Sequence, residues 1–478
     1  MYRLVLAKNV NRNLEVFDMR LGAQDGSLIN RHAYFDESVF ERELGAIFNP
    51  SWQFVGHESE ISQPGEYVTR KIMRDEVIVA RSENGEIHVM LNSCRHRGVK
   101  LCSADGGKAT NFQCAYHGWT YATDGRLRGV PESPTLHPSG IDRSKLGMHK
   151  ARVEVFNGLI FATFNNDAAP LLDVFGDMSW YLDTVFKKTE YEAYGPPVRF
   201  IGDFNWKSGA ENWCGDPYHG DVTHHTGYVA GVSYLDDMQK HVTDMQAMGA
   251  VVTNEQDASG ETVFVFTADG GHAGLHFRIP AEFDRPVFPG LEKHLWTEIE
   301  QNASPDLIAG ADRRIVCVST TFPNFSVVEQ LITNVGDDEF PAVSVVNVRV
   351  WLPLSATQTE VWSWLMVPKR ATPAWKRASQ RAFARTFNVG GVFEVDDSHN
   401  WNTTAQANRG SAGMALDNNY TALPEEPTPS SVFRGKVYRG PLHDVNFRSL
   451  YSTWVERMEA KPESVTLVGF NTEGACEL

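Results

Sequence analysis

A chain of 478 residues, 42% of them hydrophobic and 22% charged, is too long for one small core and too apolar to be disordered; two or three domains are the expectation. Lys and Arg number 44 against 60 Asp and Glu, and the net charge of −16 without a Lys/Arg stripe argues against a nucleic-acid partner and against adsorption to an anionic membrane. No apolar run approaches the roughly 20 residues that cross a bilayer, the start MYRLVLAKNV lacks the pattern of a signal peptide, and six scattered cysteines make no disulfide lattice, so a reduced cytoplasm is the expected setting.

In chain order, DESVFERELGAIF (36–48) has apolar residues at helical spacing and reads as a helix stopped by Asn49-Pro50. From Trp52 the texture turns to short strands, GEYVTRKI, DEVIVARS and, after the turn Glu83-Asn84-Gly85, EIHVMLNS, and it holds to NGLIFATF at 157–164. RFIGDFNW reads as a strand, and SGAENWCGDPYH as a helix broken at Gly215 and Pro217. VSVVNVRVWLPLSATQTEVWSWLMVP reads as a hairpin about Ser355-Ala356-Thr357, and PAWKRASQRAFARTF as a helix closed by Gly390-Gly391, with GGVFEVDDSHNW following it as a loop. Long antiparallel strands followed by helices indicate α+β. The expected division is a helical segment 1–47 packing on the last domain, a β-rich domain 48–170 and a larger domain 171–478.

Two loops of the β-rich domain carry Cys94-x-His96 and Cys114-x-x-His117, with seventeen residues between the pairs. A structural zinc site is one reading of two Cys and two His. Zinc fingers, however, pair like with like, whereas here each half gives one thiolate and one imidazole. That suits a two-iron cluster with both thiolates on one iron and both imidazoles on the other, a ligand set that raises the reduction potential. Gly98 and Gly118 follow the pairs and allow tight loops. Cys102, between them, reads as a core cysteine. The runs C-R-H-R-G and C-x-Y-H-G-W closely resemble the Rieske [2Fe-2S] motif of aromatic ring-hydroxylating oxygenases. By that likeness Cys94 and Cys114 bind one iron, His96 and His117 the other.

A second constellation lies in GAENWCGDPYHGDVTHHTG (209–227), where Asn212, Asp216 and His219 recur at helical spacing and His224 follows five residues later. Two histidines and one carboxylate with open positions form the facial triad of non-haem Fe(II) oxygenases; two ordinary histidines are the bland alternative. The distant Asp396 and Asp397 supply a carboxylate, or else a solvated acidic loop. E-N-x-x-G-D-x-Y-H-x4-H and G-x-F-E-x-D-D-x-x-N-W resemble the catalytic-domain motifs of the large (alpha) subunit of naphthalene- and biphenyl-type dioxygenases. The likeness spans about residues 36 to 405 and departs at Trp213-Cys214 and Pro217, the last of which removes a backbone donor.

The resemblance implies a catalytic domain of helix-grip (START-like) form, an antiparallel sheet flanked by helices. It implies a mononuclear Fe(II) on His219, His224 and Asp397, with Asp396 and His225 as second choices, and Tyr218 and Asn212 close to it. Asp216 matches the family's bridging aspartate, which links this iron to a Rieske histidine of the neighbouring subunit; a plain ion pair is the other reading. The family's pocket walls map to Phe387 and Phe393, with Trp213, Val222 and the segment 225–234 beside them, though each phenylalanine also reads as ordinary core. An aromatic acid would want a buried Arg, for which Arg278 and Arg285 are candidates, and substrate-selecting loops are expected in 232–312. No G-x-G-x-x-G turn follows a strand, so NADH is expected to be oxidised elsewhere and electrons to arrive from a reductase through a ferredoxin. The implied activity is cis-dihydroxylation of an aromatic compound with O2, in a head-to-tail homotrimer with or without small beta subunits. A Rieske-type monooxygenase or O-demethylase, and a zinc-stabilised binding protein without catalysis, are the alternatives.

Overall fold

The structure, a computed structural model, describes residues 21–216, 219–232, 246, 252–256, 263–424, 426–440 and 442–460. The chain divides into two compact units, one formed by Leu44–Leu171 and the other by residues up to Glu43 together with Leu172–Ala460.

The smaller unit is a stack of short antiparallel sheets. Glu66–Ile72, Asp75–Arg81 and Ile87–Leu91 are neighbours in a four-stranded sheet with Gly106–Lys108 on its edge. The turn before Ile87 closes as its sequence demands: the Gly85 amide donates to the Ser82 carbonyl at 2.9 Å, with Gly85 at φ 88°. Arg152–Phe156, Leu159–Thr163 and Gln53–His57 make a second sheet, and Asn111–Gln113, Thr120–Ala122 and Leu127–Gly129 a third. Ile78, Ala80, Met90, Phe112, Trp119, Tyr121 and Met148 form a core directly beneath the two Cys/His loops.

The larger unit is built on a nine-stranded antiparallel sheet. Its centre runs from Gln358–Pro368 through Ala342–Ser355, Phe325–Thr333 and Arg314–Thr321 to His272–Arg278 and Val263–Ala268. The hairpin read from the sequence pairs Ala342–Ser355 with Gln358–Pro368, and Ser355 faces Gln358 across the turn. Strands this rich in valine are buried on both faces: every residue from Ala342 to Leu352 and on to Pro353 lies inside. Helix Pro373–Thr386 starts on a Thr372 cap, whose Oγ1 accepts from the Trp375 amide at 3.2 Å, and buries Trp375, Ala378, Ala382 and Phe383 at helical intervals.

A correction concerns the segment after that helix. The expected loop around Asp396 and Asp397 is helix Val392–Ala407. Its buried residues Phe393, Glu394, Asp397, Trp401 and Ala405 do recur at helical spacing. Two of the five are carboxylates, so no continuous apolar stripe marks the helix in the sequence. Residues 21–43 belong to this unit, held through Glu43, which is fully buried and accepts from Lys207 Nζ at 2.6 Å, Trp454 Nε1 at 2.8 Å and Trp206 Nε1 at 3.0 Å.

Among the described residues no helix is long and apolar enough to cross a membrane.

Candidate functional site

The two Cys/His loops of the smaller unit are closed by the same hydrogen bonds. The Cys94 carbonyl accepts from the Gly98 amide at 2.8 Å and the Cys94 amide donates to the Val99 carbonyl at 2.8 Å. Likewise the Cys114 carbonyl accepts from Gly118 at 3.0 Å and the Cys114 amide donates to Trp119 at 2.8 Å. Both glycines sit at positive φ, 74° and 70°, which is why the fourth residue after each cysteine is Gly. The paired folds bring the His96 and His117 rings to 4.6 Å between centroids, and the Trp119 indole stacks on His96 at 4.9 Å with 4° between planes. Cys94 and Cys114 are buried beneath, while His117 is exposed at the tip. His96 Nδ1 is buried without a hydrogen-bond partner, as a nitrogen that binds a metal is. Burial, then the charges of His117 and Arg97, lower the His96 pKa and so favour the neutral, ligating imidazole. Cys102 stays in the core, its amide bonded to Asn92 Oδ1 at 2.9 Å, and burial pushes its thiol up to about 11.

In the larger unit the helix Trp206–Asn212 stops at Asn212, and the chain turns through Gly215 at φ 89°. Helical bonds continue from the Trp213 amide to the Gly209 carbonyl and from the Asp216 amide to the Asn212 carbonyl, both at 3.1 Å. The turn nevertheless keeps Asn212, Asp216 and His219 together: Asn212 Nδ2 is 3.3 Å from His219 Nε2, and an Asp216 carboxylate oxygen is 3.6 Å from His219 Nδ1. A four-residue helix, Gly220–Thr223, then carries the chain to His224.

His219, His224 and Asp397 converge and are the one such His/Cys/Asp/Glu group found among the described residues. The two Nε2 atoms are 3.1 Å apart, and Asp397 Oδ1 lies 3.5 Å from the first and 3.4 Å from the second. Those separations are what neighbouring donors on one face of an ion show when each bond is about 2.1 Å. Electrostatics point the same way. Burial acts against a charged His219, but the Asp216 and Asp397 carboxylates outweigh it and raise the ring to about 9. Burial and the neighbouring His219 push His224 down to about 3, and burial drives Asp397 up to about 7 despite the pull of His219. A cation at the centre resolves all three conflicts together. Asp396 is not in the triangle. Its Oδ2 lies 3.4 Å from His224 Nδ1, behind the ring, where it fixes which nitrogen faces inward. His225 is exposed.

A cavity of about 240 Å³ opens on the triad, walled by Trp213, Phe387, Phe393 and Tyr228 and floored by side chains of the sheet. The aromatic wall is continuous: Trp213 to Phe387 is 6.1 Å, Phe387 to Phe393 5.7 Å, and Phe393 to His224 4.7 Å between centroids. Arg349, buried and ion-paired with Glu394, lies 4.4 Å from the Trp213 ring and donates to the Phe387 carbonyl at 2.6 Å.

Several expected residues fall elsewhere. Val222 is 80% exposed and does not line the cavity, because the short helix that swings His224 back to His219 turns Val222 outward; Gly220 takes the lining position instead. Arg278 pairs with Asp312 at 3.3 Å and Arg285 with Glu300 at 3.6 Å, and neither reaches the cavity. Tyr218 and Pro217 lie outside the described residues, as do 233–245, 247–251 and 257–262 of the expected selecting stretch 232–312. The sequence reading missed the floor, Leu275, Phe277, Val316, Val318, Val328 and Gln330. Its only signal is an i, i+2 repeat on three strands, which any buried strand shows.

The sequence matches two families: "Rieske [2Fe-2S] domain" over residues 51–141 and "Ring hydroxylating alpha subunit (catalytic domain)" over residues 178–458. It is 33% identical to the biphenyl 2,3-dioxygenase subunit alpha of Rhodococcus jostii strain RHA1, across 95% of this chain and 92% of that one. It is 32% identical to the N,N-dimethyl phenylurea N-demethylase subunit alpha of Sphingobium sp. strain YBL2, across 91% and 92%. The crystal structure of naphthalene 1,2-dioxygenase from Rhodococcus sp. bound to indole superimposes with a TM-score of 0.82 at 30% identity, covering 91% of this chain and 95% of that one. These families imply a Rieske cluster and a mononuclear non-haem iron, and the orphaned His96 nitrogen over two buried cysteines and the His219–His224–Asp397 triangle fit those groups. The chain belongs to the ring-hydroxylating alpha-subunit family of oxidoreductases, with a Rieske [2Fe-2S] domain ahead of a mononuclear non-haem iron catalytic domain.

Proposed function

We propose that the protein is the terminal oxygenase of a multicomponent dioxygenase that cis-dihydroxylates an aromatic ring. In this reading arene, O2, NADH and H+ give the cis-dihydrodiol and NAD+, with electrons passed from a reductase through a ferredoxin. Cys94, Cys114, His96 and His117, in domain 48–170, hold the cluster. His219, His224 and Asp397, in domain 171–478, hold the iron, and the segment 1–47 packs on that domain through Glu43. When bound, the cluster supplies electrons one at a time and the iron, with positions left open by three protein ligands, activates O2.

The chain's own residues do the rest. Asp216 holds the His219 ring through Nδ1, Asn212 sits beside its metal-facing Nε2, and Asp396 holds His224 from behind. Trp213, Phe387 and Phe393 offer flat apolar faces to a ring. His117 is exposed and Asp216 partly so, which leaves both open to meet across subunits of a head-to-tail trimer, α3 or α3β3. The five described cysteines are unpaired, in keeping with a cytoplasmic setting.

The observation that carries the reading is the three-donor triangle at the mouth of an aromatic-walled cavity. Reconstitution with a ferredoxin, its reductase, NADH and O2 tests it: a cis-dihydrodiol with about three irons and labile sulfide per chain is expected, and zinc alone would end it. An Asp216→Ala variant should keep both metals and lose turnover; product formation at the wild-type rate would remove Asp216 from the electron path. The kinship to a phenylurea N-demethylase favours a second reading, monooxygenation with loss of an alkyl group, which the same product analysis separates.

A further inference from the structure

A second cavity meets the metal triangle, and its walls are polar. About 190 Å³ in volume, it shares Asn212, Asp216, His219 and Asp397 with the aromatic-walled cavity and adds Tyr34, Ser208, Glu211 and Asn418. It reaches the surface at Asn400 and Thr404, both exposed, and has room for a few water molecules at about 30 Å³ each. Glu211, on helix Trp206–Asn212, meets three phenol hydroxyls on one of its two carboxylate oxygens. Oε2 accepts from Tyr420 at 2.9 Å, from Tyr34 at 3.4 Å and from Tyr451. Tyr34 comes from helix His32–Phe35, Tyr420 from just after strand Asp417–Asn419 and Tyr451 from helix Val445–Glu459, and all three are buried. Oε1 bonds to none of the described residues and is not sealed off, so it is the oxygen left to the cavity. Of the other charged groups near Glu211, Lys207 is paired with Glu43 at 2.6 Å and Asp216 shares the cavity. Burial, with Asp216 adding to it, holds the Glu211 carboxyl up at about 7 against its three donors, so near neutral pH a proton is available on it.

Dioxygen that gains two electrons and ends as the two hydroxyls of a diol takes up two protons as well. Groups that bind a metal must be deprotonated, which removes His219, His224 and Asp397 as donors. Three carboxyls line the two cavities, Glu211, Asp216 and Asp397; Asp397 is in the triangle, Asp216 is committed to His219, and Glu211 alone touches no ligand. Resting on the oxygenase reading above, we propose that Glu211 supplies protons through the polar cavity to the dioxygen reduced on the metal side, and that Tyr34, Tyr420 and Tyr451 stabilise the carboxylate left behind. In each transfer the O–H bond at Oε1 breaks and its proton passes to the oxygen, while the electrons come from the ferredoxin. The carboxylate then takes a proton back from solvent at the Asn400 end, and two such cycles supply both protons. The tyrosines stay protonated throughout, because burial and the adjacent Glu211 raise each of them.

Single-turnover experiments on the pre-reduced holoenzyme, with O2 and naphthalene or biphenyl as probe, isolate this step from electron supply. Wild-type product formation should slow as pH rises above 7 and the carboxyl loses its proton. Glu211→Gln should keep iron and cluster, form product about a hundredfold more slowly, lose that pH limb and show a larger solvent deuterium isotope effect. Tyr420→Phe removes one donor to the carboxylate and should move the limb up by about one pH unit. Infrared titration of the oxidised holoenzyme reads the same group without turnover: a protonated-carboxyl band should vanish with a midpoint of about 7, be missing in Glu211→Gln and shift upward in Tyr420→Phe. A wild type with no such band titrating between pH 5 and pH 9, or a Glu211→Gln variant within about threefold of the wild-type rate at every pH, would overturn the assignment while the oxygenase reading stands. If Glu211→Gln loses its metals, Tyr420→Phe decides, and an unmoved limb and band overturn the proposal. If the iron-loaded wild type oxidises neither arene, it is the oxygenase reading that fails, and the infrared titration still judges Glu211.

Discussion

Tyr121 offers a quantitative test of the cluster ligands. Its ring is fully buried under the first Cys/His loop, and its hydroxyl lies 3.3 Å from Cys94 Sγ and accepts from the Arg95 amide at 3.1 Å. With the amide filling the acceptor role, the Tyr121 proton is directed at the sulfur. A hydrogen bond to a sulfur grows stronger as the cluster gains an electron, so it favours the reduced form and raises the potential. Taking the gain between oxidised and reduced states as roughly 1 kcal/mol, the step from a neutral to a charge-assisted bond, Tyr121→Phe should lower the midpoint by about 40 mV. Phe keeps the ring against Phe112, its partner across the strand pair, so the fold is preserved. A redox titration of the purified protein, followed by the cluster's visible circular dichroism or its paramagnetic signal, gives the midpoint directly. A variant with an intact cluster spectrum and a midpoint within about 10 mV of the wild type would refute Cys94 as a cluster ligand bonded to Tyr121.

Three other outcomes are expected. Lys207→Met should strand the buried Glu43 with only its two indole partners and destabilise the larger unit by about 3 kcal/mol, seen as a lower Tm, with much of the loss recovered in the Glu43→Gln/Lys207→Met double variant. Asp396→Ala should leave iron bound but weaken its affinity roughly tenfold, measured by chelator competition; loss of iron altogether would make Asp396 a ligand. Burial drives Glu211 up to about 7, against the hydroxyls of Tyr451, Tyr420 and Tyr34 that bond to it. Its stabilising contribution is full below the ordinary carboxyl range and is lost as pH rises through 7, so Glu211→Gln should gain Tm relative to wild type between pH 5 and pH 8; a constant difference would show that the group does not titrate there.

What could be read from the sequence was whatever obeys a local rule. The hairpin at Ser355 follows from alternation and turn chemistry, and the two Cys/His loops from their spacing and glycines. The helix bearing Asp397 was hidden because Glu394 and Asp397 occupy its buried face, where periodicity looks for apolar residues. Val222 was misplaced because four residues between two histidines do not say which way a one-turn helix faces. The floor was illegible for a different reason. Strands Arg314–Thr321 and Phe325–Thr333 are buried on both sides, so alternation does not tell cavity from core, and only the register gathers Phe277, Val316 and Gln330 into one row.

Arg349 sets a limit on how this pocket can drift. One guanidinium is clamped to Glu394, lies against Trp213 and holds the carbonyl of Phe387. Glu394 is one helical turn from Asp397, so a change in the aromatic wall that dislodges Arg349 is transmitted to the carboxylate facing both histidines. Mutational tolerance should therefore be uneven around the cavity: the six floor positions are free to diversify singly, whereas Trp213 can change only together with its charged neighbours. Directed evolution toward new arenes should accumulate substitutions on the strands first.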